Sequence, residues 1–394
     1  MSHTSSKGRR IAAAAVASLA AAALAACGSG NSSSAGGTAP AGSGSTASNA
    51  AIAASAANVK KLEQPITTWP GITPVKNPVD VSGKNIMIVP LIAAVPILNG
   101  MATGAQEALQ HMGAHVTICD GKASPTSVDS CLKQAQAQKF FAVVTNFVAF
   151  PMDPNGFTSL ADSGTKVLIA GDSQVPGTNY PANVKFFDSS ASLKTIASDE
   201  ADAALARQGT NANVIWLSQT DNTNTIAQGD AGEAHFKQVC PSCGFDRIPY
   251  ATPDEDKLPS MISAALVSHP NTNEIVLSVD SIAPQVMQGV QSAGFAGKVK
   301  LIGNGSDLEG LQKIQSGQET DDIGGSAVYL GYALANALEQ ELAGDTITPA
   351  AAAPRDFAAS NVGGLKLTPQ EYNTTDWFGN DSFKAEFYKN WGGK

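Results

Sequence analysis

The 394-residue chain is poor in charge and in aromatic rings: 15% of its positions are Asp, Glu, Lys or Arg, and 6% are Phe, Trp or Tyr. Its 25 basic residues are outnumbered by 34 acidic ones, a formal charge of −9, and they lack the clustering that a nucleic-acid footprint requires. No apolar run beyond the N-terminus reaches the roughly 18 residues of a membrane-spanning helix. The histidines past the N-terminal segment (His111, His115, His235 and His269) stand singly, with no H-E-x-x-H spacing. There is no G-x-S-x-G elbow and no phosphate-binding P-loop, and Gly324-Gly325 does not follow the dinucleotide fingerprint. These absences argue against an enzyme, a resident metal and a cofactor; none of the three is expected. What is present, 43% hydrophobic residues, suffices for one or two packed domains.

The N-terminus reads as an export signal over residues 1–26. Lys7, Arg9 and Arg10 form a positive start, and Ile11 to Ala26 form an uncharged, Ala-rich run too short for a membrane span. Arg9-Arg10 matches the twin-arginine pattern weakly. Leu24-Ala25-Ala26-Cys27 resembles a bacterial lipobox, which implies cleavage before Cys27 and a lipid on its sulfur; the plainer alternative is an ordinary signal peptide with a cysteine nearby. Loss of the leader leaves 22 basic against 34 acidic residues, a charge of −12. Residues 27–57 are rich in Gly, Ser, Ala and Thr and predict a flexible tether. The expected location is the outer face of a cell membrane, toward the periplasm or the extracellular space.

Four further cysteines fall into two close pairs, Cys119 with Cys131 and Cys240 with Cys243. An even count in an exported chain favours two local disulfides. Cys240-Pro241-Ser242-Cys243 also has the spacing of redox and zinc motifs, although a zinc site lacks two nearby ligands and a redox pair belongs at a helix N-terminus.

From Lys84 onward, short apolar strands alternate with amphipathic helices. Strands are expected over Asn85–Leu91, Val116–Cys119, Phe140–Thr145 and Val167–Ala170, with helices between them carrying Leu98, Met101, Ala105 and Leu109, then Val128 and Leu132, then Phe157 and Leu160. A loop over Gln174 to Lys185 precedes a second series. Its strands are Val214–Leu217, Phe245–Ile248, Glu274–Ser278 and Val299–Ile302, and its last long helix runs from about Tyr329 to Leu342. Continuous apolar strands between helices predict parallel sheets covered on both faces, and two such series predict two doubly wound α/β lobes with a cleft at the strand carboxyl ends.

In their order and spacing, "MATGAQEALQHMGAHVTICD", "AVVTNFVAF", "VLIAGDS", "FFDSSASL", "EIVLSVDSIAPQVMQGVQSAG" and "KLIGNGSDLEGLQKIQSG" resemble the type I solute-binding proteins of ABC transporters, in the ribose-binding branch. The resemblance covers roughly Lys84 to Gly344. It implies a three-crossover hinge near Phe187, Gly325 and Asp345, joining an N-terminal lobe (84–187 with 326–346) to a C-terminal lobe (188–325). Residues 347–394, an aromatic extension, are expected to pack on the lobes. The implied function is capture of a small molecule, a sugar or related compound, by hinge closure, and its delivery by a monomer to an ABC permease. The alternatives are a sensing subunit for a membrane receptor, and a binder of an uncharged, partly apolar or aromatic ligand.

The family's polar positions fall on Asn146, Asp172, Asp188 and Asp280, residue types that also cap helices. Where sugar binders carry Asn-Pro-Phe-Phe, this chain has Ala94-Val95-Pro96-Ile97, and the family's arginine positions hold Ser173 and Gln228-Gly229-Asp230. Val279 and Gly305 replace two further polar positions, with Asn304 beside the second. The pocket is therefore expected to be less charged and more apolar than a ribose site. Val95, Pro96, Phe147, Trp216, Asn304 and Tyr329 are the other candidate lining residues, although an aromatic ring at such positions is more often core.

Overall fold

The apolar strand runs become two parallel sheets because a strand buried on both faces must have helices above and below it. The structure, a computed structural model, describes residues 43–349 and 351–392. The first sheet holds β1 (Asn85–Pro90), β2 (His115–Ile118), β3 (Ala142–Asn146), β4 (Lys166–Ala170) and β5 (Val184–Phe187) in the order β2-β1-β3-β4-β5, all parallel. Helices α2 (Pro96–His111), α3 (Pro125–Ala137) and α4 (Pro154–Asp162) each begin with a proline, whose fixed φ suits the first turn. Ile86, Ile88, Val144 and Leu168 face one side of this sheet, and Met87, Val89, Val143 and Ile169 the other.

The second sheet repeats that order. Helix α5 (Ser190–Gln208) leads into β6 (Asn213–Gln219), α6 (Thr223–Val239), β7 (Gly244–Tyr250), α7 (Leu258–Ser268), β8 (Glu274–Val276), α8 (Ala283–Ser292), β9 (Lys300–Asn304), α9 (Leu308–Ser316) and β10 (Glu319–Gly325). Strands run β7-β6-β8-β9-β10 in parallel, and β11 (Pro354–Ala358) adds an antiparallel edge to β10. Helix α10 (Ala327–Ala343) returns to pack on α2 of the first lobe, where Gly104 and Gly331 let the backbones meet: a Cβ on Gly331 would lie 2.5 Å from the Met101 carbonyl. Both cysteine pairs are disulfides; Cys119–Cys131 ties the end of β2 to α3, and Cys240–Cys243 closes the turn after α6 and opens no helix.

Four elements depart from the sequence expectations. Residues 43–57 of the expected tether belong to a helix, α1 (Ser43–Leu62), packed on α5 with Ser55 and Asn58 donating to Asp202 and Asp199. Its alanine-rich composition, read as low complexity, is also that of a strong helix former. Residues 27–42 of that tether, the export signal and Cys27 lie outside the described residues. Strands β5, β10 and β11 fall where no strand is expected, for β10 carries Glu319, Asp321 and Asp322, poor strand formers by composition.

The ends of the described chain tie the lobes together. After α1, the Ile66 N–H donates to the Phe378 carbonyl at 2.7 Å, and Trp69 stacks on Tyr329 of α10 with ring centroids 4.7 Å apart. Arg355 of β11 donates to the Trp377 and Glu63 carbonyls. The chain then runs through α11 (Pro369–Tyr372) to α12 (Phe383–Asn390), where Phe383, Phe387 and Trp391 are buried against α10. Two passes between the lobes are thus added to the three at 187–190, 325–327 and 343–354.

Candidate functional site

Beyond the carboxyl ends of the strands in both sheets lies a cavity of about 160 Å³. Open α/β sheets bind ligands at this place, and the volume, below the roughly 300–1,000 Å³ of drug-sized pockets, suits a small molecule. Two other hollows, about 600 Å³ beside α8 and α9 and about 220 Å³ beside Tyr388, are away from the strand ends.

The walls differ in chemistry. The first lobe supplies Ile92, Val95, Ile97, Leu98, Met101 and Phe147, all apolar, from the loop after β1, the start of α2 and the end of β3. The second lobe adds Leu193 and Ile196 from α5, but otherwise presents mainly polar groups, among them Gln219, Asp221, Gln228, Glu255, Ser278 and Asn304. Phe147 takes a left-handed backbone (φ 62°), a costly conformation for a bulky residue, and lays its ring over Gly171, where a Cβ would come within 2.8 Å of the ring.

Among the expected residues, Val95, Phe147 and Asn304 line the cavity, while Pro96 stands between two lining residues as the first residue of α2. The Asn304 Nδ2 donates to Glu200 at 2.5 Å. Asn146 is fully buried beneath the wall, donating to the Leu98 carbonyl at 3.2 Å, and its Oδ1 has no hydrogen-bond partner among the described residues. Asp172 is held between the lobes: its Oδ1 accepts from the Thr223 hydroxyl at 2.7 Å and from the Thr223 N–H at 3.3 Å. Ser173 joins this contact, its N–H donating to the Thr223 hydroxyl. Asp188 accepts from the Ser190 N–H at 2.8 Å. Burial pushes the Asp188 carboxyl up, but hydrogen bonds from Ser190 and Ser173 outweigh it and hold the group below its ordinary value.

Trp216, Tyr329 and Asp280, like Pro96, Asn146, Asp172 and Asp188, are absent from the lining, and these three are buried elsewhere. Trp216 points from β6 into the core on the α5–α6 side, its ring packed where a Cβ on Gly232 would clash. Tyr329 is buried by Trp69 and Phe383 on the face of α10 turned toward the C-terminal segment. Asp280 turns beneath the loop after β9, accepting from the Asn304 N–H at 2.6 Å and the Asp307 N–H at 3.0 Å; burial and then the Asp307 charge raise it to about 7. It secures the loop that carries Asn304.

The charged lining residues are two carboxylates, Asp221 and Glu255, which the resemblance did not indicate. Thr252 fixes Asp221 through its N–H at 3.0 Å and its hydroxyl at 3.1 Å. Glu255 is half-buried, and no described residue donates a hydrogen bond to it; burial and then Asp221 raise its carboxyl above the ordinary range. No Lys, Arg or His is among the lining residues, so the expectation of an apolar pocket fits one wall and misses the acidic character of the other. Among the described residues, no group of three His, Cys, Asp or Glu is placed to hold a metal ion, and no helix is long and apolar enough to cross a membrane.

No family model and no curated protein matches the chain. Solved structures do. A glucose-galactose binding protein from Geobacillus stearothermophilus matches with a TM-score of 0.59 at 15% identity, over 72% of this chain and 99% of its own. A 5-methylthioribose transporter solute-binding protein from Thermotoga lettingae, solved with 5-methylthioribose, matches with a TM-score of 0.62 at 15% identity, over 82% of this chain and 100% of its own. The Caulobacter myo-inositol binding protein matches with a TM-score of 0.59 at 17% identity, over 75% and 98%. The chain therefore has the type I periplasmic-binding-protein fold, with two parallel-sheet lobes.

Proposed function

We propose that this protein is an exported, lipid-anchored solute-binding protein that closes its two lobes on a small molecule, a sugar or related compound, and presents the closed form to an ABC importer. The observation that carries this reading is the cavity at the strand ends, walled by both lobes and bridged by the Asp172–Thr223 and Ser173–Thr223 hydrogen bonds. The solved neighbours bind glucose and galactose, 5-methylthioribose or myo-inositol in this fold, which supports the same type of work here. Binding is the whole of the chemistry: ligand contacts made only in the closed arrangement shift the open–closed balance by their differential free energy. Val95, Phe147 and Asn304 are the expected ligand contacts, with Asn146 and Asp188 supporting the walls. Cys27 carries the lipid.

A thermal-shift screen of the full chain against sugars, polyols, amines and amino acids tests the reading, since a ligand raises stability by RT ln(1 + [L]/Kd). One-to-one binding that reduces the radius of gyration is the expected result. A chain that no compound stabilises and whose scattering profile never changes would refute it.

A further inference from the structure

From the charges in the cavity we infer that the ligand is an organic cation with an apolar body, an alkyl- or arylammonium compound. This inference rests on the solute-binding reading and replaces the sugar in it with a different ligand class. Asp221 and Glu255 are the charged groups lining the cavity, and no basic lining residue offsets them. Asp221 already accepts from the Thr252 N–H and hydroxyl, whereas the Glu255 carboxylate receives no hydrogen bond from any described residue. Closing on a neutral ligand would strip water from two like charges and return no counter-charge, and desolvating an unpaired ion costs several kcal/mol. An ammonium group at this end of the cavity removes that cost and gives Glu255 its missing donors.

The opposite wall fixes the rest of the ligand. Ile92, Val95, Ile97, Met101 and Phe147, with Leu193 and Ile196 from α5, leave few polar atoms for a sugar's second face, so a hydroxyl-covered ligand would bury unpaired groups there. A hydrocarbon or aromatic body meets that wall at no such cost. A bare metal ion is a poor occupant, because two carboxylates beside an apolar wall fall short of the six to eight oxygens that a hard cation takes.

The test is calorimetric titration of the full chain with a matched pair, phenethylamine and its neutral isostere 2-phenylethanol, alongside ribose and 5-methylthioribose. The amine is expected to bind one-to-one and at least tenfold more tightly than the alcohol. Glu255→Gln, with its fold checked by circular dichroism, is expected to erase that preference, weakening the amine and strengthening the alcohol because no unpaired Glu255 charge is left to desolvate; Asp221→Asn is expected to reduce the preference. Equal binding of amine and alcohol, or a preference that survives in both variants, would overturn the inference. Binding of either sugar without the amine, unaffected by Glu255→Gln, would overturn the cation and leave the solute-binding reading standing. Failure of every probe, with no change in lobe separation, would count against both.

Discussion

Deleting the Asp172 carboxylate tests directly what holds the lobes against each other. Asp172 lies just after β4 and is 3% exposed, and its two donors, the Thr223 hydroxyl and N–H, belong to the first residue of α6 in the other lobe. A hydrogen bond to a charged group contributes about 1.5–3 kcal/mol net. The 3.3 Å bond counts for less than the 2.7 Å one, so Asp172→Ala is expected to weaken the closed arrangement by about 2 kcal/mol, or about 30-fold in the open–closed equilibrium. The loss falls on the closed form alone, because the bonds exist only when the lobes meet. The apparent dissociation constant of a ligand held between them should therefore rise by up to the same factor. Asp172→Asn, which keeps an acceptor oxygen without the charge, should fall between. Calorimetric titration of the three proteins, paired with small-angle scattering of each without ligand, reads both quantities. Unchanged affinity together with unchanged scattering in Asp172→Ala would refute the reasoning.

Two further outcomes concern stability. Burial raises Glu319 to about 9 and Asp280, Glu339 and Asp356 to about 7, above the roughly 3.9 to 4.3 of unfolded carboxyls. The folded chain then holds more protons than the unfolded one, so stability present below about pH 4 is lost progressively as pH rises toward each folded value. The melting temperature should fall between pH 5 and pH 8, and Glu319→Gln should flatten that slope; a melting temperature that climbs over this range contradicts the assignment. Replacing both Cys119 and Cys131 by Ser should cost about 3 kcal/mol in urea unfolding, against about 2 for Cys240 and Cys243, since the first pair closes a longer loop (sequence separation 12 against 3). The reverse order would show that chain entropy is not the controlling factor.

The alternating lobes were legible because their signal is local. A strand such as Ala142–Asn146 is apolar on both faces, and its neighbours in the sheet are other strands of the same kind. What escaped a local reading is held by distant partners. Two acidic residues of strand β10 are held by partners outside it: Arg207, on α5, pairs with Asp321 as well as with Glu274 of β8, and the Ser306 N–H donates to Asp322. Strand β11 reads as a polar Pro-Arg-Asp stretch until β10 supplies its edge and the Trp377 and Glu63 carbonyls receive Arg355. The alanines of α1 mark a helix, but only the carboxylates of Asp199 and Asp202 show that its Ser and Asn face a partner.

The site was legible in its framework and hidden in its charge. The ends of β3 and β9 bring Phe147 and Asn304 to the cleft, while Asn146, the last residue of β3, turns beneath its wall, and Ala94-Val95-Pro96-Ile97 already showed an apolar first wall. Trp216 and Tyr329, the other two aromatic candidates, do not reach it. Trp216 sits within its strand and belongs to the α5–α6 core, and Tyr329 faces a C-terminal segment for which strand pattern makes no provision. Asp221 and Glu255 escaped for a different reason: the first lies in a polar loop and the second in a polar 3-10 turn (Thr252–Lys257), where an acid is ordinary, and a carboxylate becomes informative only when burial removes its water and no donor replaces it. Thr252 supplies that donor for Asp221, and no described residue supplies it for Glu255. For this chain, the inferred ligand class therefore rests less on the strand-end residues than on Glu255, the lining carboxylate to which no described residue donates.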